Sequence, residues 1–67
     1  MNKLTNQEVY DNGEIIETQH SRTIHSVTFY YYIVKYGNDY YELEVSDDGI
    51  SQEVENPDQS PRKIEVV

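Results

Sequence analysis

One stretch constrains this chain more than any other. Val27 to Tyr36 is almost entirely β-branched or aromatic, Gly37-Asn38 interrupts it, and Asp39 to Ser46 then alternates in period two. Branched and aromatic side chains suit the pleated surface of a strand, and alternation marks a strand buried on one side. Gly and Asn tolerate the positive φ that tight hairpin turns require. A long antiparallel hairpin is therefore expected, its first strand drawn from Ile24 to Tyr36. With Gly37-Asn38 as a two-residue loop, Tyr36 faces Asp39, Val34 faces Tyr41, Tyr32 faces Leu43 and Tyr30 faces Val45. The side led by Val34, Tyr41, Leu43 and Val45 is the expected core. Moving the loop to Asn38-Asp39 keeps these residues on one face, because only an odd change of loop length reverses the sides.

The opposite side is the unusual one. It carries Phe29, Tyr31, Ile33 and Lys35 on the first strand, and Tyr40, Glu42, Glu44 and Ser46 on the second. In an open antiparallel sheet this side should be polar. Three arrangements would account for it. The N-terminal segment covers it through Leu4, Val9, Ile15 and Ile16; the sheet curls into a small barrel; or the aromatic patch stays exposed for a partner.

Flanking segments are read from their local signals. Thr5-Asn6-Gln7-Glu8 has the form of a capping box, with Leu4 and Val9 placed as a hydrophobic staple. Asn12-Gly13 supplies a stop, so a short helix is expected from Asn6 to about Asp11. A tight turn at Asp11 to Glu14 between two strands is the competing reading. Gly13 to Thr18 fits either a strand or a continuing helix, and His20-Ser21-Arg22 reads as a loop. Asp48-Gly49 as a second turn would set Val54 opposite Leu43 and Ile50 opposite Asp47, giving a third strand from Ile50 to Glu55 with Gln52 on its inner face. Residues 56–61 form a loop on composition, and residues 62–67 a short docking strand or a tail. The expected fold is a single small α+β domain over residues 1–67, mainly antiparallel β. A short N-terminal helix precedes a three- to four-stranded sheet, the alternative being a small all-β barrel of SH3-like form.

Charge narrows the functional classes. The 67 residues carry a formal charge of −8, and the eight acids between Tyr36 and Pro61 have no Lys or Arg among them. Such a field repels phosphate backbones, so direct nucleic-acid binding is not expected; a basic protein surface, including that of a nucleic-acid-binding protein, is. No cysteine is present, so neither a disulfide framework nor a Cys-based metal site is available. The most apolar stretch is about ten residues, against the roughly 20 of a membrane helix, and the start Met1-Asn2-Lys3-Leu4-Thr5 lacks the apolar core of a signal peptide. A cytoplasmic protein without membrane contact is expected.

Chemistry-bearing patterns are weak. His20-Ser21 and His25-Ser26 have no placed acid behind them, and Asp47-Asp48-Gly49 with Glu53 lacks the ligand spacing of a calcium loop. No enzyme, metal or cofactor is expected. Tyr40-Tyr41-Glu42-Leu43-Glu44-Val45-Ser46-Asp47-Asp48-Gly49, continuing to Val54, resembles the final hairpin of small PepSY-type domains. That resemblance implies a helix paired with a short antiparallel sheet, in a group linked to inhibition of extracellular proteases. It covers about a quarter of the chain and no function is carried over from it. The small, acidic, tyrosine-rich composition is also similar to that of inhibitors made by phages and mobile elements, some of which imitate DNA.

Seven tyrosines beside one phenylalanine suit an interface, since the ring offers apolar area and the hydroxyl tolerates water. The expected function is non-enzymatic protein binding, as an inhibitor or DNA mimic that engages a basic surface on a host or defence protein. Its anchors are Phe29, Tyr31 and Tyr40, with Glu42, Glu44, Asp47, Asp48, Glu53 and Glu55 supplying the field. The alternative is a homodimeric or larger self-associating module that buries the aromatic face against a second copy.

Overall fold

A computed structural model describes residues 3–65. Its elements are α1 (Asn6–Asn12), β1 (Glu14–Ile24), β2 (Val27–Tyr36), β3 (Asp39–Asp47), β4 (Gln52–Val54) and β5 (Arg62–Ile64). The strands form one open antiparallel sheet in the order β1-β2-β3-β4, with β5 pairing β3 beyond β4. The sheet is not a barrel. Five strands exceed the three or four expected, and the docking of the tail holds for Arg62–Ile64. Val66 and Val67, the apolar end of that expected strand, lie outside the described residues.

The central hairpin follows its sequence register: Tyr36 opposes Asp39, Val34 opposes Tyr41, Tyr32 opposes Leu43 and Tyr30 opposes Val45. Gly37 has φ 64 and Asn38 keeps a negative φ, the pattern of a type II′ turn. The core is Val9, Tyr32, Val34, Tyr41, Leu43, Val45 and Val54, with Leu4, Tyr10, Tyr30 and Tyr36 packed against it. Helix α1 supplies Val9 to this cluster, so it lies on the core face of the sheet.

Helix α1 forms where its capping signals place it. Thr5 Oγ1 accepts a hydrogen bond from Glu8 N–H at 3.2 Å. The remaining free N–H groups are met from across the chain: Asn6 N–H donates to the Gln59 carbonyl at 2.8 Å and Gln7 N–H to that of Pro57 at 3.1 Å. Glu8 does not complete the capping box, because its carboxylate accepts from the Tyr36 hydroxyl at 2.6 Å instead. The helix ends at Gly13, whose N–H donates to the Val9 carbonyl at 2.8 Å.

Three expectations are corrected. His20-Ser21-Arg22 is not a loop but part of β1, which is polar because it is an edge strand exposed on both faces. Register shifts between Ile15 and Glu17 and between His20 and Arg22 each reset its alternation. The Ile24–Tyr36 strand is likewise divided by a turn at His25-Ser26, whose φ values of 49 and 67 are a type I′ signature carried without glycine. The third-strand register also differs: Val45 opposes Val54 and Asp47 opposes Gln52. Asp47 Oδ1 accepts from Gly49 N–H at 2.7 Å, and Asp48 Oδ1 accepts from Ile50 and Ser51 N–H at 2.8 and 2.9 Å, which moves the turn one residue later. The resulting two-residue slip preserves the faces, so Val54 still reaches the core and Gln52 still points inward. There Gln52 Oε1 accepts from the Tyr10 and Tyr32 hydroxyls at 3.0 and 3.1 Å.

Candidate protein-binding face

Among the described residues, no layer covers the side of the sheet away from α1. Of the three arrangements considered, the first two are excluded: the helix lies on the other side, Ile15 and Ile16 belong to an edge strand, and the sheet does not close. Because residues opposite one another in a pair project to the same side, the register assigns the open face. Val27, Phe29, Tyr31 and Ile33 run along the middle of it on β2, all partly exposed. Ile24 extends this ridge at one end, opposite Val27, and Tyr40 with its partner Ile64 extends it at the other.

Charged residues line its margins in both signs. The acids are Glu14, Glu17, Glu42, Glu44 and Glu53, and the bases are Arg22, Lys35 and Arg62. Five against three leaves this face an excess of only two of the molecule's eight negative charges. Arg22 comes from the first third of the chain to lie 4.5 Å above the Phe29 ring, with Nη1 3.5 Å from Glu44 Oε2. Arg62 Nη1 is likewise 3.5 Å from Glu42 Oε1. The Arg22 contact is within ion-pair range but not aligned as a hydrogen bond. Glu44 Oε2 is thus shielded from solvent with no hydrogen-bond partner among the described residues. Exposed ion pairs and cation–π contacts are each worth about 0–1 kcal/mol.

The nine residues singled out from sequence separate into two sets. Phe29, Tyr31, Tyr40, Glu42, Glu44 and Glu53 share the open face. Asp47 and Asp48 do not join them: both carboxylates are used by the backbone of the β3–β4 turn. The Ser51 and Ile50 N–H groups hold the Asp48 carboxyl below the ordinary aspartate range. Glu55 follows β4, half-buried, with its N–H donating to the Glu44 carbonyl at 2.8 Å. Arg22, Arg62 and Ile64 belong to the face but were not singled out, because only the pairing of β1 and β5 brings them there.

His20 lies 3.3 Å from Thr23 Oγ1, and His25 sits in the β1–β2 turn. Among the described residues, no three His, Asp or Glu side chains converge as a metal-binding set, and no helix is long and apolar enough to cross a membrane. No protein-family model, curated protein or solved structure matches this chain.

Proposed function

We propose that this chain is a non-enzymatic protein-binding module that docks through the open face of its sheet. The observation supporting this reading is the uncovered ridge of Phe29, Tyr31 and Ile33 in the centre of a five-stranded sheet, continued by Tyr40 and Ile64. Burying an aromatic ridge of this kind is the usual source of interface affinity, with a charged rim setting orientation. The favoured partner is another protein presenting an apolar patch and basic groups, met by the carboxylates that exceed the arginines at the rim. An inhibitor that occupies the nucleic-acid groove of such a partner is one form of this proposal, and a cytoplasmic setting belongs to it.

A second reading is favoured by one observation, the presence of both signs on the same face. A second copy would offer complementary charges to the first, and the 37 × 29 Å extent of the molecule is ample for the roughly 800 Å² that each partner buries in a standard interface. One experiment separates the two readings. A photo-crosslinking residue placed at Tyr31 should yield one discrete adduct in the native host, whereas the same residue at Ile50, on the β3–β4 turn, should not. Phe29→Asp should abolish the adduct. If the adduct is the chain itself, and mass by light scattering rises with concentration, the second copy is the occupant. Absence of any discrete adduct from Tyr31, together with a constant monomer mass, would overturn the docking role of this face.

A further inference from the structure

A different surface, the free edge of β4, is also left without a role by the fold. In an antiparallel pair, residues alternate between those that exchange hydrogen bonds with the neighbouring strand and those whose N–H and C=O point away from it. Glu55 N–H donates to the Glu44 carbonyl at 2.8 Å and Asp48 N–H to that of Ser51 at 3.3 Å, both in the register that sets Val45 opposite Val54. Ser46 and Glu53 fall on the bonded positions of this alternation. Gln52 and Val54 therefore turn their backbone groups away from β3, and no other described residue hydrogen-bonds to those groups.

Both residues line a groove of about 440 Å³, whose other wall is Gln7 and Tyr10 of α1. An unpaired strand edge beside a helix accepts an extended peptide as an added strand, with main-chain hydrogen bonds supplying affinity. Charge selects the occupant. Glu53 and Glu55 also line the groove. Neither is ion-paired among the described residues, whose three ion pairs use Glu42, Glu44 and Asp39. Arginines answer Glu42 and Glu44 on the open face, whereas Glu53 and Glu55 have no such partner among the described residues.

We infer that the α1–β4 groove binds an extended, lysine- or arginine-bearing segment of another protein as an additional strand on β4. The added strand takes the outward N–H and C=O groups of Gln52 and Val54, and its basic side chains meet Glu53 and Glu55. The β4 edge lies apart from the aromatic ridge, although Glu53 projects to the same side of the sheet as that ridge, and the inference does not rest on the docking reading above.

The test uses the full chain, isotope-labelled, titrated with a synthetic heptapeptide of alternating Lys and Val. Two controls accompany it: the same peptide N-methylated at alternate positions, and its Glu-Val counterpart. Resonance shifts are expected to centre on the Gln52 and Val54 amides, with their solvent exchange slowed about tenfold or more. Binding should weaken as salt rises, and neither control should bind. The double change Glu53→Lys with Glu55→Lys should lower affinity by about tenfold, while Phe29→Asp should leave it unchanged. No binding at millimolar peptide, equal binding of the N-methylated control, or loss of binding in Phe29→Asp would each overturn the inference.

Discussion

Gly13 sits where the chain leaves α1 and enters β1, and its constraint is space. Its φ of −86 is open to any residue, but a Cβ there would overlap Val34 Cγ1 and lie 2.6 Å from the Val9 carbonyl oxygen. Gly13→Ala is expected to lower the unfolding free energy by about 1–3 kcal/mol, as overpacked core sites do, measured by urea denaturation. Gly37 differs, with open space around it and a constraint that lies in its φ of 64. Asp48 supplies a second residue-scale prediction. Its folded pKa is lowered by the Ser51 and Ile50 N–H groups, so the ionised form stabilises the fold. That contribution is complete above the ordinary aspartate range of about 4 and is lost as pH falls through the lowered folded value. Protection of the Ile50 and Ser51 amides, taken relative to their intrinsic exchange rates, should fall on acidification in the wild type. In Asp48→Ala it should be low already at neutral pH.

Helix α1 has seven residues, too few to persist alone. It is held by Thr5, by the carbonyls of Pro57 and Gln59, and by Val9 in the core. Thr5→Ala should cost about 1 kcal/mol, within the range for lost N-caps, read as a lower thermal midpoint. The Tyr36 hydroxyl ties the helix to the sheet through Glu8, and that hydrogen bond, with a smaller contribution from burial, raises the Tyr36 pKa. Tyr10 is raised as well, by burial first and then by Tyr32 beside it. A raised folded pKa means the stabilisation is whole below the ordinary tyrosine value of about 10 and is lost as pH rises through the folded one. Phenolate absorbance should therefore rise together with loss of helical dichroism above that range. In Tyr36→Phe the helix signal should lose part of this alkaline dependence.

The molecule is a slab, 15 Å along its shortest principal axis, with a helix on one broad side and no element of the described residues on the other. Its charge is organised by the fold as much as by the sequence. The second half of the chain holds nine of the thirteen acids, yet Arg22 and Arg62 come to the open face and answer Glu44 and Glu42. Phe29→Asp should leave the unfolding free energy within about 1 kcal/mol of wild type, because it touches only a half-exposed ring and one cation–π contact. Docking through the open face should nevertheless be lost. A variant that unfolds instead would show that Phe29 belongs to the stabilising core.

Sequence by itself determined the β2–β3 hairpin, its register and the five of seven core residues it carries. A local turn and a period-two pattern suffice for these, and neither depends on distant residues. It also carried the signals of the short capped helix, beside a competing turn, and the inward position of Gln52. Tertiary structure decided which side the helix covers, and it turned an apparent His20–Arg22 loop into an edge strand whose bulges had scrambled the alternation. It also carried arginines from both ends of the sequence onto the acidic return strand. Strand pairing joins positions far apart in the chain, so the charge of a surface is set by register between strands and cannot be read along any one of them.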